Sequence, residues 1–548
     1  MRLKKDSTAQ KLRGAYYTPL QLATAMTGLF DIENIQNILE PSCGDGVFLD
    51  CLAINDMLCR IESVTAIEIE KDESKKVHER YNNHPNVNVL CEDFFDFYKR
   101  SYENERYDLI LGNPPYIRYQ YLTEKQRELQ SMILTSHGMK ANKLINAWVC
   151  FLVACVQMLS DNGRIAFVIP AEILQVGYAE DLRLFLSSQL ARITLITFEQ
   201  LVFPEIEQEV VVFIGEKGGI EKGIRIIEMT GLDCFKTLNL GNNGYQKLQH
   251  AREKWTKYFI STNETALIQR LREDKRFTRF KNFGIINVGI TTGNNDYFSV
   301  TSEVEKLYSL DSVTLPLIGR SSHAHGIYFT FDDWRANSAS GKKAMLVNFP
   351  DVSFDEYPQQ HKEYIYLGER DEQNKGYKCG IRNRWYIVPS VWVPDAFFLR
   401  RNNLYPKFVI NRCNAVSTDT MHRMKFNCGV DAENILLSYY NSVSFAFTEI
   451  CGRSYGGGVL EILPSEMGNI LIPIIQEIDT SLRDELLSKV DEIIRNGDDI
   501  EIALDLVDEK LLVRTLGIEA ELCLQCRNIW KKLQGRRLKR SNIYSKLS

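Results

Sequence analysis

The five residues Gly112-Asn113-Pro114-Pro115-Tyr116 carry the most specific chemistry in the chain. They follow an apolar run, Tyr107-Asp-Leu-Ile-Leu111, that reads as a β-strand. The side-chain oxygen of Asn113 and the carbonyl of Pro114 are two acceptors, and the prolines restrict φ and so fix where that carbonyl points. Two such acceptors suit an exocyclic amine whose lone pair is delocalised into an aromatic ring. By taking both amino hydrogens they favour a more pyramidal, more nucleophilic nitrogen, and they act most strongly in the transition state. Tyr116 adds a flat face on which a base can stack. A rigid strand-ending turn is the plain alternative, but it does not explain why these residues lie beside the second cluster.

That cluster begins with Glu40-Pro41-Ser42-Cys43-Gly44-Asp45-Gly46, again after a strand-like run, Asn37-Ile-Leu-Glu40. Glycines at 44 and 46 allow a tight turn and close approach of a ligand to the backbone, and a helical pattern follows from Val47 to Cys59. The loop has neither the Gly-x-Gly-x-x-Gly spacing of dinucleotide folds nor the Gly-Lys-Ser/Thr of a phosphate-binding loop, which argues against ATP. The next strand, Val64-Thr-Ala-Ile-Glu68, runs into Ile69 and Glu70; a carboxylate at Glu68 can accept both hydrogens of a ribose diol. After a third strand, Val87-Asn-Val-Leu90, Asp93 can accept from an adenine amino group and Phe94 can pack on a purine face.

The elements that must position these residues alternate. Strand-like runs at 37–40, 64–68, 87–90, 107–111 and 164–169 are separated by helical patterns, including a strongly apolar helix from Ala141 to Ser160. This implies an α/β layer fold with a mainly parallel sheet, whose ligands lie outside the carboxyl ends of the strands. Residues 1–235 are expected to form this unit and 236–260 a connection. Short β-like runs broken by Gly, Asn and Pro predict a β-rich, irregular domain over 261–470, and helical periodicity returns over 471–548.

Taken together, Asn113-Pro-Pro-Tyr116, the Glu40–Gly46 loop and the early Gly14-Ala-Tyr-Tyr17-Thr18-Pro19 resemble the N6-adenine DNA methyltransferases of the gamma arrangement, in which cofactor motifs precede the catalytic motif and target recognition is C-terminal. The likeness runs from Gly14 to Gly215 and more loosely to about residue 470. It implies a Rossmann-like class I methyltransferase domain that uses S-adenosylmethionine. Tyr17 and Thr18 would meet the methionine part of the cofactor, Glu40 would lie near its amino group, and Pro41, Ser42, Gly44 and Gly46 would form the loop around it. Glu68 and Ile69 would hold the ribose side, and Asp93, Phe94 and Phe151 the adenine, with Asn113 between cofactor and target. Tyr116 and Phe203, in Val202-Phe203-Pro204, would stack on opposite faces of a flipped adenine. The partners implied are double-stranded DNA and a cognate restriction endonuclease acting on the same site.

Recognition of a target site requires base-edge and phosphate contacts. The candidates are Thr292, Asn294 and Asn295, then Arg382 and Arg384, then Asn411 and Arg412, and His422, all in polar, turn-rich stretches. The net charge of −5 does not announce a nucleic-acid binder, although the last residues from Arg527 are rich in Lys and Arg without an acid. Thirteen irregularly placed cysteines fit a reducing, cytoplasmic setting in a bacterial or archaeal cell. The Cys523/Cys526 pair lacks companions for a zinc site, and no metal, membrane span or secretory signal is expected. Thirteen residues before Gly14 are too few for a fused nuclease, and Asp508-Glu-Lys reads as helix surface, so a stand-alone, monomeric methyltransferase is the expectation. The alternatives are a methyltransferase acting on RNA or a protein glutamine amide, and a non-catalytic DNA-binding subunit that keeps the fold.

Overall fold

The computed structural model describes residues 17–140, 145–199, 209–219, 221–238, 240–241, 243–248, 254–455 and 457–539. The chain divides into two compact units, Met1–Thr262 and Asn263–Ser548.

The first unit is built on β1 (Asn37–Glu40), β2 (Ser63–Glu68), β3 (Val87–Cys91), β4 (Tyr107–Gly112), β5 (Leu159–Pro170), β6 (Arg192–Phe198), β7 (Val210–Glu216) and β8 (Gly223–Met229). Their order in the sheet is β3-β2-β1-β4-β5-β7-β6-β8. The first five run parallel, β7 is antiparallel to both β5 and β6, and β8 adds parallel to β6. The helices are α1 (Leu20–Thr27), α2 (Val47–Ile54), α3 (Lys71–Tyr81), α4 (Phe94–Ser101), α5 (Glu124–Ser136), α6 (Ala147–Gln157) and α7 (Glu180–Gln189). Strand order reverses between β1 and β4, where Ile38 pairs with Leu109 and Leu39 with Ile110. The carboxyl ends of β1 and β4 therefore lie side by side at a switch point, the place where open α/β sheets bind ligands.

Two elements differ from their sequence expectation for local reasons. The apolar helix stops at Gln157, and β5 begins at Leu159. Gly163 then sits where a Cβ would lie 2.8 Å from the Tyr107 carbonyl, which permits the register shift between β4 and β5. The helix after the glycine loop ends at Ile54 because Asp56 turns to φ +53°. α6 is buried from Ala147 to Val156, as expected of a helix apolar on every side.

The second unit holds a five-stranded sheet in the order 284–288, 421–426, 396–399, 408–411, 328–329, and a four-stranded sheet of 299–300, 345–347, 314–318 and 416–417. Helices Ala432–Tyr439 and Ser442–Cys451 are largely buried. The C-terminal helices belong to this unit and do not stand apart from it. Arg537 is 0% exposed and bonds the Glu449 carboxylate through Nε (3.0 Å) and Nη2 (2.8 Å) and the Gly458 carbonyl through Nη1 (2.7 Å). Arg527 reaches Asp508 at 3.0 Å, and that same carboxylate accepts from the Ser442 backbone N–H at 3.0 Å. Asp508 is thus buried in an ion pair and not on a helix surface, and two of the basic residues of the C-terminal stretch are committed to the fold.

Candidate active site

At the ends of β1, β2 and β4 lies a cavity of about 700 Å³. Its walls bring together Tyr17, Thr18, Glu40, Pro41, Ser42, Gly44, Glu68, Ile69, Asp93, Phe94, Asn113, Pro115 and Phe151. Of the cofactor candidates only Gly46 is outside the wall. It turns the chain behind the loop at φ +84°, where a Cβ would meet Val77 Cγ2 at 3.1 Å. Pro114 and Tyr116 also lie outside the wall, in the same tetrapeptide as Asn113. Val202-Phe203-Pro204 falls outside the described residues.

The loop is held by its own backbone and by Glu68. Gly46 N donates to the Cys43 carbonyl and Cys43 N to the Ile67 carbonyl, both at 2.8 Å. The Glu68 carboxylate accepts from Gly44 N at 2.8 Å and from Glu70 N at 2.9 Å, tying the turn to the end of β2. Gly44, at φ +55°, lies under the Tyr17 ring, which a Cβ would meet at 3.3 Å. Burial raises the Glu68 pKa despite these two donors.

Glu40 is the least comfortable group. It is 2% exposed, and its Oε2 has no hydrogen-bond partner among the described residues. Burial pushes its pKa well above the usual carboxylate value, and Asp45, Glu68 and Asp50 push it further in the same direction. A buried carboxylate without a donor, surrounded by other acids, calls for a cationic ligand. A sulfonium amino acid carries two positive centres, its ammonium and its sulfonium, so the donor set fits S-adenosylmethionine.

On the side of the cavity beside Asp93, Phe94 and Phe151 stack at 4.8 Å with an 18° interplanar angle, and Phe95 meets Phe151 edge-on. They are too close to sandwich a base between them and form one aromatic side of the cavity. Ile69, half-exposed, stands at the end of β2. Asp93 caps α4, accepting from Phe95 N at 2.8 Å.

The tetrapeptide Asn113–Tyr116 is fixed from three sides. Ser42 Oγ donates to the Asn113 carbonyl at 3.4 Å, linking it to the glycine loop. Tyr116 is buried, with its hydroxyl donating to the Val168 carbonyl of β5 at 3.1 Å. Ala147 N donates to the Ile117 carbonyl at 2.9 Å, and Arg118 bridges Asn146, so the chain beyond the tetrapeptide is clamped to the start of α6. Sequence reading passed over Thr123, Gln126 and Gln130 of the α5 segment, which line the same cavity. The Thr-x-x-Gln capping-box spacing was the available signal.

In the second unit the recognition candidates are largely engaged within the chain. Thr292 is buried and donates to Asn295 Oδ1 at 2.6 Å. Asn294 caps the helix Asn295–Phe298, and Asn295 Nδ2 reaches Asp419 at 3.2 Å. Arg382 donates to the Thr291 carbonyl at 3.0 Å, and Arg384 pairs with Asp351 at 2.6 Å. Asn411 donates to the Pro394 and Ala415 carbonyls and accepts from Cys413 N and Ala415 N. Arg412 lies over the Tyr328 ring and pairs with Glu433. His422 is buried against the Ile462 carbonyl, so His422 and Thr292 are framework residues and present no group to a base edge in this arrangement.

Known proteins agree with this architecture. Residues 47–203 match the family described as Eco57I restriction-modification methylase, and residues 252–512 match the C-terminal domain of the Type II methyltransferase M.Eco57I, so the two span most of the chain. The Type II methyltransferase M.AccI of Acinetobacter calcoaceticus is 24% identical over 515 residues, covering 88% of this chain and 91% of its own. A tRNA1(Val) (adenine(37)-N6)-methyltransferase of Haemophilus influenzae is 29% identical over 147 residues, covering 26% of this chain and 56% of its own. The structure of the Type IIL restriction-modification enzyme MmeI in complex with DNA shares the fold at a TM-score of 0.57 and 12% identity, over 97% of this chain and 80% of that one. Among the described residues no helix is long and apolar enough to cross a membrane. With a class I fold, the cation-seeking cavity and both family matches, the chain belongs to the Eco57I-type restriction-modification methylases, S-adenosylmethionine-dependent DNA methyltransferases of Type II systems.

Proposed function

We propose that the chain methylates N6 of an adenine rotated out of double-stranded DNA, as the modification enzyme paired with a restriction endonuclease of the same site. The observation that carries this reading is the placement of Asn113 and Pro115 in the wall of the cavity that holds Glu40, Glu68 and Asp93. An amine presented to the tetrapeptide therefore meets the cofactor chamber directly. Asn113 Oδ1 and the Pro114 carbonyl take the two amino hydrogens, and Tyr116 and Phe203 stack on the two faces of the base. Rotation of a nucleotide out of the duplex costs a few kcal/mol, which this stacking offsets. When bound, S-adenosylmethionine would supply an electrophilic methyl group to the amine nitrogen held by Asn113 and Pro114, and the proton displaced from that nitrogen would pass to solvent. No covalent enzyme intermediate is required. Thr18 and Glu40 hold the methionine end, Glu68 the ribose, and Asp93 with the Phe94–Phe151 wall the purine.

Adenine is preferred to cytosine as the target because a relative aligned with about a quarter of the chain has a name that specifies adenine N6. DNA is preferred to RNA because the relative aligned along nearly the whole chain is a Type II methyltransferase. We take the enzyme to act as a monomer, the state that would suit an asymmetric site.

The test is single-molecule sequencing of plasmid DNA from a methylation-deficient host expressing the chain. N6-methyladenine at one short motif is expected. N4-methylcytosine at a motif would overturn the choice of base, and unmodified DNA alongside methylated RNA would overturn the choice of substrate.

A further inference from the structure

We infer that Gln126 is a positioning residue for the purine of the cofactor: it holds the Asp93 carboxylate in the orientation that reads the 6-amino group. The inference rests on the reading that this cavity takes S-adenosylmethionine with its adenine at Asp93.

The geometry leaves Gln126 little freedom. Its Oε1 accepts from Thr123 N and from Thr123 Oγ1, both at 3.1 Å, while Thr123 Oγ1 accepts from Gln126 N at 3.3 Å. This reciprocal capping box starts α5. A backbone N–H can only donate, so the side-chain oxygen of Gln126 must face Thr123. The amide orientation is thereby settled by chemistry and not by choice of fit. The nitrogen is left pointing the other way, and there Nε2 donates to Asp93 Oδ2 at 2.8 Å.

Asp93 is consequently pinned at both oxygens, by Phe95 N on Oδ1 and by Gln126 on Oδ2. An ionised carboxylate has about four acceptor positions, so a lone pair remains for an amino group on the cavity side. Its plane is fixed before any ligand arrives. Without Gln126 the carboxylate keeps only its capping bond and can rotate, and the ligand must then order it. Preorganisation of this kind strengthens binding by removing that cost.

A second polar group marks the same helix face as built for a ligand edge. Gln130, seven positions into α5 and 4% exposed, also lines the cavity, and its Nε2 has no hydrogen-bond partner among the described residues. Core packing alone would place apolar side chains there. The α5 segment also follows the catalytic tetrapeptide closely in sequence, so the stretch of chain that leaves the target-base site is the one that senses the cofactor purine.

The experiment is calorimetric titration of the full chain with two ligands: S-adenosylhomocysteine, and its analogue carrying hydrogen in place of the 6-amino group. The wild type is expected to prefer the amino ligand. Gln126→Ala is expected to weaken S-adenosylhomocysteine by about tenfold (~1.4 kcal/mol) and to leave the deamino analogue unchanged, so the preference collapses. Gln126→Glu keeps an acceptor for Thr123 but sets a carboxylate against Asp93; it is expected to lose the preference too while retaining the capped helix, and it covers the case in which the alanine variant does not fold. Equal weakening of both ligands, or of neither, would overturn the positioning role and leave only a helix cap. Absence of any preference in the wild type, unchanged in Asp93→Ala, would overturn the assignment of Asp93 itself and with it the inference, whatever the DNA product.

Discussion

Glu40→Gln separates what the cavity needs for its ligand from what the fold needs for itself. In the ligand-free chain Glu40 is buried without a donor on Oε2 and faces Asp45, Glu68 and Asp50. Glutamine has the same shape and no charge, so the change opens no void. A hydrogen bond to a charged partner contributes about 1.5–3 kcal/mol. Loss of the carboxylate should therefore raise the dissociation constant of S-adenosylhomocysteine by roughly 10- to 100-fold. The free protein should move the other way and melt at a higher temperature, because a desolvated acid among acids is removed. The pH dependence has a definite sign. Glu40 holds its proton more tightly in the folded chain than in the unfolded one. Between the ordinary carboxylate pKa and the raised one the folded chain thus binds more protons, and its stability falls as pH rises through that window. A cationic ligand favours the ionised form, so binding in that window must release protons. Calorimetry in buffers of different ionisation enthalpy measures this release, and Glu40→Gln should reduce it. Unchanged affinity, or unchanged proton release, would refute the assignment of Glu40 as the acceptor for the cofactor's cation.

Three further outcomes are expected. Asn113→Ala should abolish methyl transfer while leaving DNA binding nearly intact in a gel-shift assay; turnover within tenfold of wild type would remove Asn113 from the chemistry. Gly46→Ala forces a side chain into φ +84° and against Val77 Cγ2 at 3.1 Å. The left-handed conformation alone costs roughly 1–2 kcal/mol, and cofactor affinity measured by calorimetry should fall along with stability. Arg537→Ala strands the buried Glu449 carboxylate, at about 3–5 kcal/mol; since ~1 kcal/mol shifts the melting of a domain this large by roughly 2–4 °C, differential scanning calorimetry should show the unfolding transition of the second unit lowered by about 10 °C.

The catalytic half was legible because its chemistry sits at strand ends, and strand ends are visible in the sequence. Apolar runs marked β1 to β4 to within a residue at each end; Glu40 and Glu68 close β1 and β2, and Asp93 and Asn113 follow β3 and β4. Parallel pairing then brings these positions to one edge without further information. The exceptions have local causes. Ser160-Asp161-Asn162-Gly163 reads as a polar turn between helix and strand, whereas the strand starts before it at Leu159 and carries these residues, so the boundary between α6 and β5 was misplaced. Gln126 and Gln130 were passed over because a glutamine on a helix reads as solvated surface. Only the fold shows that this face of α5 closes a cavity.

The second unit resisted reading for a different reason. A sequence lists donors and acceptors but not which of them the chain uses on itself. Asn411 looks like a base reader and is in fact saturated by four bonds around its own turn. At Gly289 a Cβ would lie 1.9 Å from the Thr418 carbonyl, so the glycine permits two segments of the chain to approach. The exposed candidates carry acids with them: Arg384 with Asp351, Arg412 with Glu433, Asn295 with Asp419. An arginine already paired with a carboxylate must give up that partner to reach a phosphate, so a cation counted in the sequence is spent within the fold. Such pairing is a property of the folded surface, which is why composition alone gave no warning of a DNA-binding protein.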